Sequence, residues 1–262
     1  MGAPAPLYAA PVPGPDDPAA VDRAKSVAGV YRSARRVETK FEKLFALGGE
    51  TTVKAMDDGS LLIGKQRYYP YKEDVWTDRS RDRIHVSRDA DGAVSGVSVR
   101  MGTDTLIPVG FFRSSAGANT AVGLAYILSI TAFLGLWRRL AVRAPGATNP
   151  GRALAIGQIA TAVAVIAFVG TAAGATAALS GATLTDLMEK GYPPPALNAL
   201  RLAGLVAAFA LATNALASPL VWTTSGWSVW RKLHHALFAA AGVWTIWALF
   251  DWRVIFAPTA AV

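Results

Sequence analysis

Four uncharged apolar runs in the second half of the chain restrict what it can fold into. A helix rising about 1.5 Å per residue needs about 20 residues to cross a hydrocarbon core of about 30 Å. "ANTAVGLAYILSITAFLGLW" (118–137) meets that length without a charge. "ALAIGQIATAVAVIAFVGTAAGATAALS" (153–180) is longer and rich in Ala, Gly and Thr. "LAGLVAAFALATNALASPLVW" (202–222) is the third run, and "LHHALFAAAGVWTIWALF" (233–250) is the fourth and shortest. Trp137, Trp222 and Trp252 stand at their edges, where aromatic side chains favour the membrane–water interface. A hydrophobic content of 52% agrees with the membrane class. The pattern predicts a membrane domain over 118–262, with transmembrane helices at about 118–137, 153–178, 199–222 and 233–255.

The first half is different in kind. Residues 1–23 are rich in Pro and Ala and read as an extended, flexible linker. They lack the basic start and apolar centre of a signal peptide. Residues 24–117 carry strand and turn signals. "AGVYRS" is a short apolar strand, and "VETKFEKLFAL" places Phe41, Leu44 and Phe45 at helical spacing, ended by Gly48 and Gly49. Asp57-Asp58-Gly59 joins "TTVKAM" to "SLLIG", and Asp91-Gly92 joins "RIHVSR" to "AVSGVSV". Asp-Gly supplies the left-handed turn geometry that hairpins require. "DTLIPVGFFR" is the last strand. The expectation is six or seven short strands and one amphipathic helix, a small antiparallel sheet or half-barrel. The fold class is therefore an α+β membrane protein: a small antiparallel β-rich module followed by a four-helix transmembrane bundle.

Charge sets the orientation. Residues 1–117 hold 17 Lys/Arg and 15 Asp/Glu; residues 118–262 hold 9 and 3. The basic excess thus lies in the membrane half, at helix ends. No Lys/Arg stripe with interleaved aromatics marks a nucleic-acid surface. The segment joining the first two spans, "RRLAVRAPGATNPGR", has four arginines and no acid. The segment before the fourth span carries Arg231 and Lys232 and no acid. By the positive-inside rule both are cytoplasmic. An even number of spans then puts the β module outside a bacterial plasma membrane. Cysteine is absent, which removes a cysteine nucleophile, a disulfide framework and any thiolate metal site.

Several residues stand out as candidate sites. Arg32, Arg35 and Arg36 lie together beside a strand end and could bind an anion or a protein partner, or pair with Glu38 and Glu42. Gln158, Thr213 and Asn214 are polar at membrane depth and suit hydrogen bonds between helices, with a transport path as the alternative. Gly170 and Gly174 form a small-xxx-small pair of the kind that lets helices approach closely. His234 and His235 open the fourth span; neighbours in sequence point to different helix faces, which favours interfacial anchoring over a metal or haem site. Asp89, Asp91 and Gly92 read as a hairpin turn rather than a calcium loop, because the later acidic ligands are missing. No catalytic, cofactor or metal residues emerge.

"VYRSARRVETKFEKLFAL", with the later "DDGSLLI", "WTDRSRDRIHVSRDADGAV" and the membrane runs, resembles the C-terminal region of bacterial serine hydrolases related to class C β-lactamases and penicillin-binding proteins. The resemblance spans nearly all of residues 24–250. It implies a catalytic domain followed by a linker, a β-rich module and a closing set of transmembrane helices. The nucleophile of that family sits in S-x-x-K, where the lysine amine activates the serine hydroxyl. Here Ser26 is followed three residues on by Gly29 and Ser33 by Arg36, and neither Tyr-x-Asn nor Lys-Thr-Gly occurs. The resemblance therefore implies a membrane anchor and accessory region without catalytic machinery of its own. Its partners would be the lipid bilayer and a hydrolase domain fused upstream or encoded separately, with residues 1–23 as the joint. The alternative is a stand-alone membrane sensor whose β module encloses a ligand. Scarce intramembrane charge argues against a transporter.

Overall fold

A computed structural model describes residues 18–36, 39–40, 43–44, 47–78, 82–99, 102–141, 151–180, 193–224 and 227–256, with side chains of the first long helix described as far as Gly135. The chain divides into two units: residues 1–38 with 45–115, and residues 39–44 with 116–262.

The first unit is a closed barrel of eight strands, each antiparallel to the next. The strands are β1 Gly29–Ser33, β2 Thr51–Ala55, β3 Leu61–Ile63, β4 Gln66–Lys72, β5 Val75–Thr77, β6 Arg83–Arg88, β7 Val94–Val99 and β8 Asp104–Pro108. The two hairpins expected at Asp-Gly are β2–β3 and β6–β7, with Gly59 at φ 75° and Gly92 at φ 78°. The expectation of a half-barrel is corrected: β1 pairs with β8, Tyr31 opposite Pro108 and Ser33 opposite Leu106, and no free edge remains. Closure needs β4 and β5, a hairpin outside the expected set, which turns at Asp74 with φ 54°. Pro70 is accommodated where the β4–β5 register shifts, because a bulge removes the demand for its missing N–H.

Strand alternation fills this barrel. In β6 the pattern Arg83-Ile84-His85-Val86 sends Ile84 and Val86 inward and His85 outward. Tyr31, Val53, Leu61, Tyr68, Trp76, Ile84, Val97 and Leu106 are all buried in one cluster. Eight strands enclose a space that side chains can just fill. The Trp76 indole N–H donates to the Gly59 carbonyl at 3.1 Å, so its polar atom is satisfied inside the core.

A helix, α1 (Pro18–Val27), covers part of this core with Ala24 and Val27. It corrects the linker boundary expected at residue 23. Its docking fixes Gly59, because a Cβ there would lie 2.9 Å from the Ala20 backbone. The Tyr31 hydroxyl donates to the Val27 carbonyl at 2.6 Å, and burial holds this phenol above its ordinary pKa despite the nearby Arg88 charge. The amphipathic helix expected over "VETKFEKLFAL" falls largely outside the described residues; Lys43 and Leu44 form a 3-10 turn.

The second unit contains four long helices: α2 Ser115–Ala141, α3 Gly151–Leu179, α4 Pro195–Thr223 and α5 Val229–Asp251. All four have the length and composition to cross a membrane. Pro195 at the first turn of α4 extends that helix four residues beyond the expected start, since a missing N–H costs nothing there. The bundle is small inside and large outside. Ala125, Ala162, Ala207, Ala241 and Gly242 are interior, whereas Leu216 is 81% exposed and Phe209 73% exposed. In water such an apolar exterior is a liability; in hydrocarbon it is the solvated face. Side chains bond across the interior: Thr161 Oγ1 donates to Ala210 O on α4 at 3.1 Å, and Thr245 Oγ1 donates to Ala121 O on α2 at 3.0 Å.

Close approach occurs at different glycines from those expected. Gly170 and Gly174 face open space. Gly242 and Gly204 make the tight contacts: an added Cβ would lie 2.9 Å from Leu211 Cδ2 and 3.0 Å from Val254 Cγ1, respectively. Leu211 is fully buried and has nowhere to move. Gly242→Val should therefore cost about 1–3 kcal/mol through overpacking. Gly170→Val should leave stability within about 0.5 kcal/mol, as surface changes do. Thermal unfolding of both variants in one detergent checks this; equal losses would contradict the assigned packing.

Candidate functional site

The arginine trio does not form one surface. Tyr31 points into the barrel, so Arg32 points out of it, yet Arg32 is only 4% exposed. Its Nη2 pairs with Glu50 Oε1 at 2.5 Å and donates to Arg113 O at 2.6 Å. The same Glu50 oxygen accepts the Ser115 N–H, the first amide of α2, at 2.9 Å. A carboxylate is favourable there, because helix amino ends present unpaired donors and a partial positive charge. Arg32 is thus a buried structural cation. Arg35 is exposed, with its backbone N–H on Ser33 Oγ, and Arg36 is half-buried. Glu38 and Glu42 lie outside the described residues; Glu50, whose role the sequence did not signal, is the partner.

The polar residues at membrane depth also separate. Thr213 is exposed and returns its hydroxyl to Ala210 O on its own helix at 2.8 Å. Asn214 is buried within the bundle. Gln158 is buried and meets His234 of α5, with Gln158 Nε2 3.1 Å from His234 Nδ1. On the other side of the ring, His234 Nε2 lies 2.8 Å from Thr131 Oγ1 of α2. The Thr131 hydroxyl also reaches the carbonyls of Ile127 (3.1 Å) and Leu128 (3.0 Å) on its own helix. Three helices thereby meet at one imidazole.

His235 points elsewhere, as the helical period requires: it is buried and meets the Trp227 ring edge-on at 6.1 Å. Among the described residues no three His, Asp or Glu side chains gather around a metal-sized space. Asp89 accepts from the amides of Asp91 (3.1 Å) and Ala93 (2.9 Å), the geometry of a turn.

The His234 cluster borders a cavity of about 280 Å³ at the end of the bundle where α2 finishes and α3 and α5 begin. Gln158, Ser228, Trp230 and Arg231 join Thr131 and His234 in its lining. The Arg231 guanidinium is held 3.4 Å from the Trp227 ring centroid by cation–π stacking. At the opposite end of α5, Lys43 pairs with Asp251 at 3.6 Å and lies over Trp252. Comparison with protein-family models, with curated proteins and with solved structures returns no match to this chain.

The Arg32–Glu50 pair makes the sharpest prediction of this arrangement. Glu50→Gln leaves a buried guanidinium without its counter-charge, and should cost about 3–5 kcal/mol. The double change Arg32→Met with Glu50→Leu should recover part of that loss, because no isolated charge remains buried, while the Ser115 N–H and Arg113 O lose their partners. Thermal unfolding of the two variants measures the difference; a Glu50→Gln protein as stable as the parent contradicts the assignment.

Proposed function

We propose that this chain anchors and assists a serine hydrolase of the β-lactamase-related type, carrying no hydrolase nucleophile itself. The barrel is the docking block, and the four helices hold it on the exterior face of a bacterial plasma membrane. The observation that carries this reading is the filled barrel. Trp76, Tyr31, Leu61 and Ile84 occupy the space where a ligand-binding barrel would keep its cavity. A solid block with a polar outside suits contact with another folded domain. The order of strand, hairpins and membrane runs, and the absence of S-x-x-K, are consistent with the same assignment. The arginine-rich segments at the α2–α3 and α4–α5 ends support the exterior placement of the barrel.

A stand-alone membrane receptor is the second reading, and one feature favours it: the polar cavity around His234. In that case the binding site belongs to the bundle and not to the barrel.

The test is a reconstitution. An S-x-x-K-bearing hydrolase domain encoded upstream of this chain is produced in soluble form, with and without the full-length membrane protein. The expected result is sedimentation of the hydrolase with membranes only when this chain is present, with turnover of a chromogenic β-lactam or peptide confined to the hydrolase. A hydrolase that stays soluble in both cases, or turnover by this chain alone that a serine-directed reagent abolishes, overturns the proposal.

A further inference from the structure

The cavity beside His234 has a chemistry that selects its occupant. None of the described residues in its lining is a carboxylate. It does contain a permanent cation, Arg231, whose guanidinium carbon is held 3.4 Å from the centroid of the Trp227 ring. An immobilised guanidinium fork matches tetrahedral oxyanions, and fixing it beforehand lowers the entropy lost on binding. The amino end of α5 contributes a partial positive charge to the same space. At about 280 Å³ the cavity lies near the lower limit of ligand pockets, about 300–1,000 Å³, and suits a small polar group rather than a large molecule.

Position narrows the choice further. The cavity opens at a helix end ringed by exposed Trp222, Val229 and Trp230, side chains suited to the level of lipid headgroups. Arg152 and Lys232 stand at the same end. If this end faces the cytoplasm, as the proposed orientation has it, the adjoining leaflet is the one rich in anionic lipid, and basic pockets between transmembrane helices on that side hold lipid headgroups.

We propose that the cavity bounded by Thr131, Gln158, Ser228, Trp230, Arg231 and His234 is a binding site for the phosphate of an anionic phospholipid headgroup. The guanidinium of Arg231 takes the phosphate oxygens. Trp230 and the apolar helix faces meet the glycerol and upper acyl chains. The lipid would then be a structural ligand, bridging α2, α3 and α5 at one membrane face.

The experiment uses the full chain in a non-ionic detergent, so its outcome does not depend on orientation or on any hydrolase. Phosphatidylglycerol, phosphatidylcholine and inorganic phosphate are titrated separately while thermal stability is followed, and lipid retention is read by native mass spectrometry. Phosphatidylglycerol should stabilise saturably and be retained, and phosphatidylcholine should not. Stabilisation by inorganic phosphate at millimolar level, with displacement of phosphatidylglycerol, would keep the phosphate site but assign it to a soluble anion. Arg231→Gln should weaken phosphatidylglycerol binding about tenfold. Arg253→Gln, at the other end of α5, should leave it unchanged. If Arg231→Gln does not fold, Arg231→Lys, which keeps the charge but loses the planar fork, should still weaken retention several-fold. Equal response to both lipids, or equal weakening by Arg231→Gln and Arg253→Gln, overturns the proposal.

Discussion

Hydrocarbon offers no hydrogen-bonding partner, so a chain that crosses it must satisfy its backbone within each segment. That constraint governs α2 to α5. Each forms its backbone hydrogen bonds internally, and the polar side chains on it either return to their own helix or find a neighbour. Thr171 and Thr176 bond back to Ala167 and Ala172 of α3, whereas Thr161 and Thr245 reach across to other helices. Because lipid is as apolar as leucine, burying leucine inside the bundle gains little; close contact between small residues gains more. The interior is accordingly built around Ala162, Ala207 and Gly242, with Leu216 and Phe209 facing outward.

The barrel obeys the opposite rule. There, water is the solvent, and large apolar side chains belong inside. Trp76, Tyr31 and Leu61 fill the interior, α1 covers part of it, and closure of β1 on β8 removes the exposed edge that an eight-strand meander would otherwise present. The two regimes meet in sequence at Ser115. Glu50 caps the first amide of α2 there while neutralising Arg32, so one carboxylate serves both a strand-borne cation and a helix start.

The spans were legible in the sequence because a bilayer imposes a minimum length on apolar runs, and nothing else in the chain competes with that signal. The hairpins at Gly59 and Gly92 were legible for a similar reason: turn geometry is local and specific to residue type. Closure was not, because the β1–β8 pairing joins residues more than seventy positions apart and leaves no local mark. The β4–β5 hairpin carries no Asp-Gly signal: it turns at Asp74, and Pro70 stands inside a strand, where sequence rules disfavour it. Among the site residues, Gln158 stands out in the sequence as a polar group at membrane depth, but its partner His234 lies 76 positions away, and no local pattern joins the two. Strand alternation turns Arg32 away from the barrel core, which suggests a surface residue; Glu50 and the Arg113 carbonyl cover it instead. The glycine pair failed for a geometric reason, since four-residue spacing places two glycines on one face without specifying which face meets a neighbour.

The central claim is that the four apolar helices cross a bilayer, with α2 separating the chain before it from the chain after it. The chain has no cysteine, so single cysteines report cleanly. Lys65→Cys marks the barrel and Arg152→Cys marks the amino end of α3. In sealed cells an impermeant maleimide should label the first at once and the second only after permeabilisation. Labelling of both from outside, or protection of both until lysis, would contradict the membrane-crossing account.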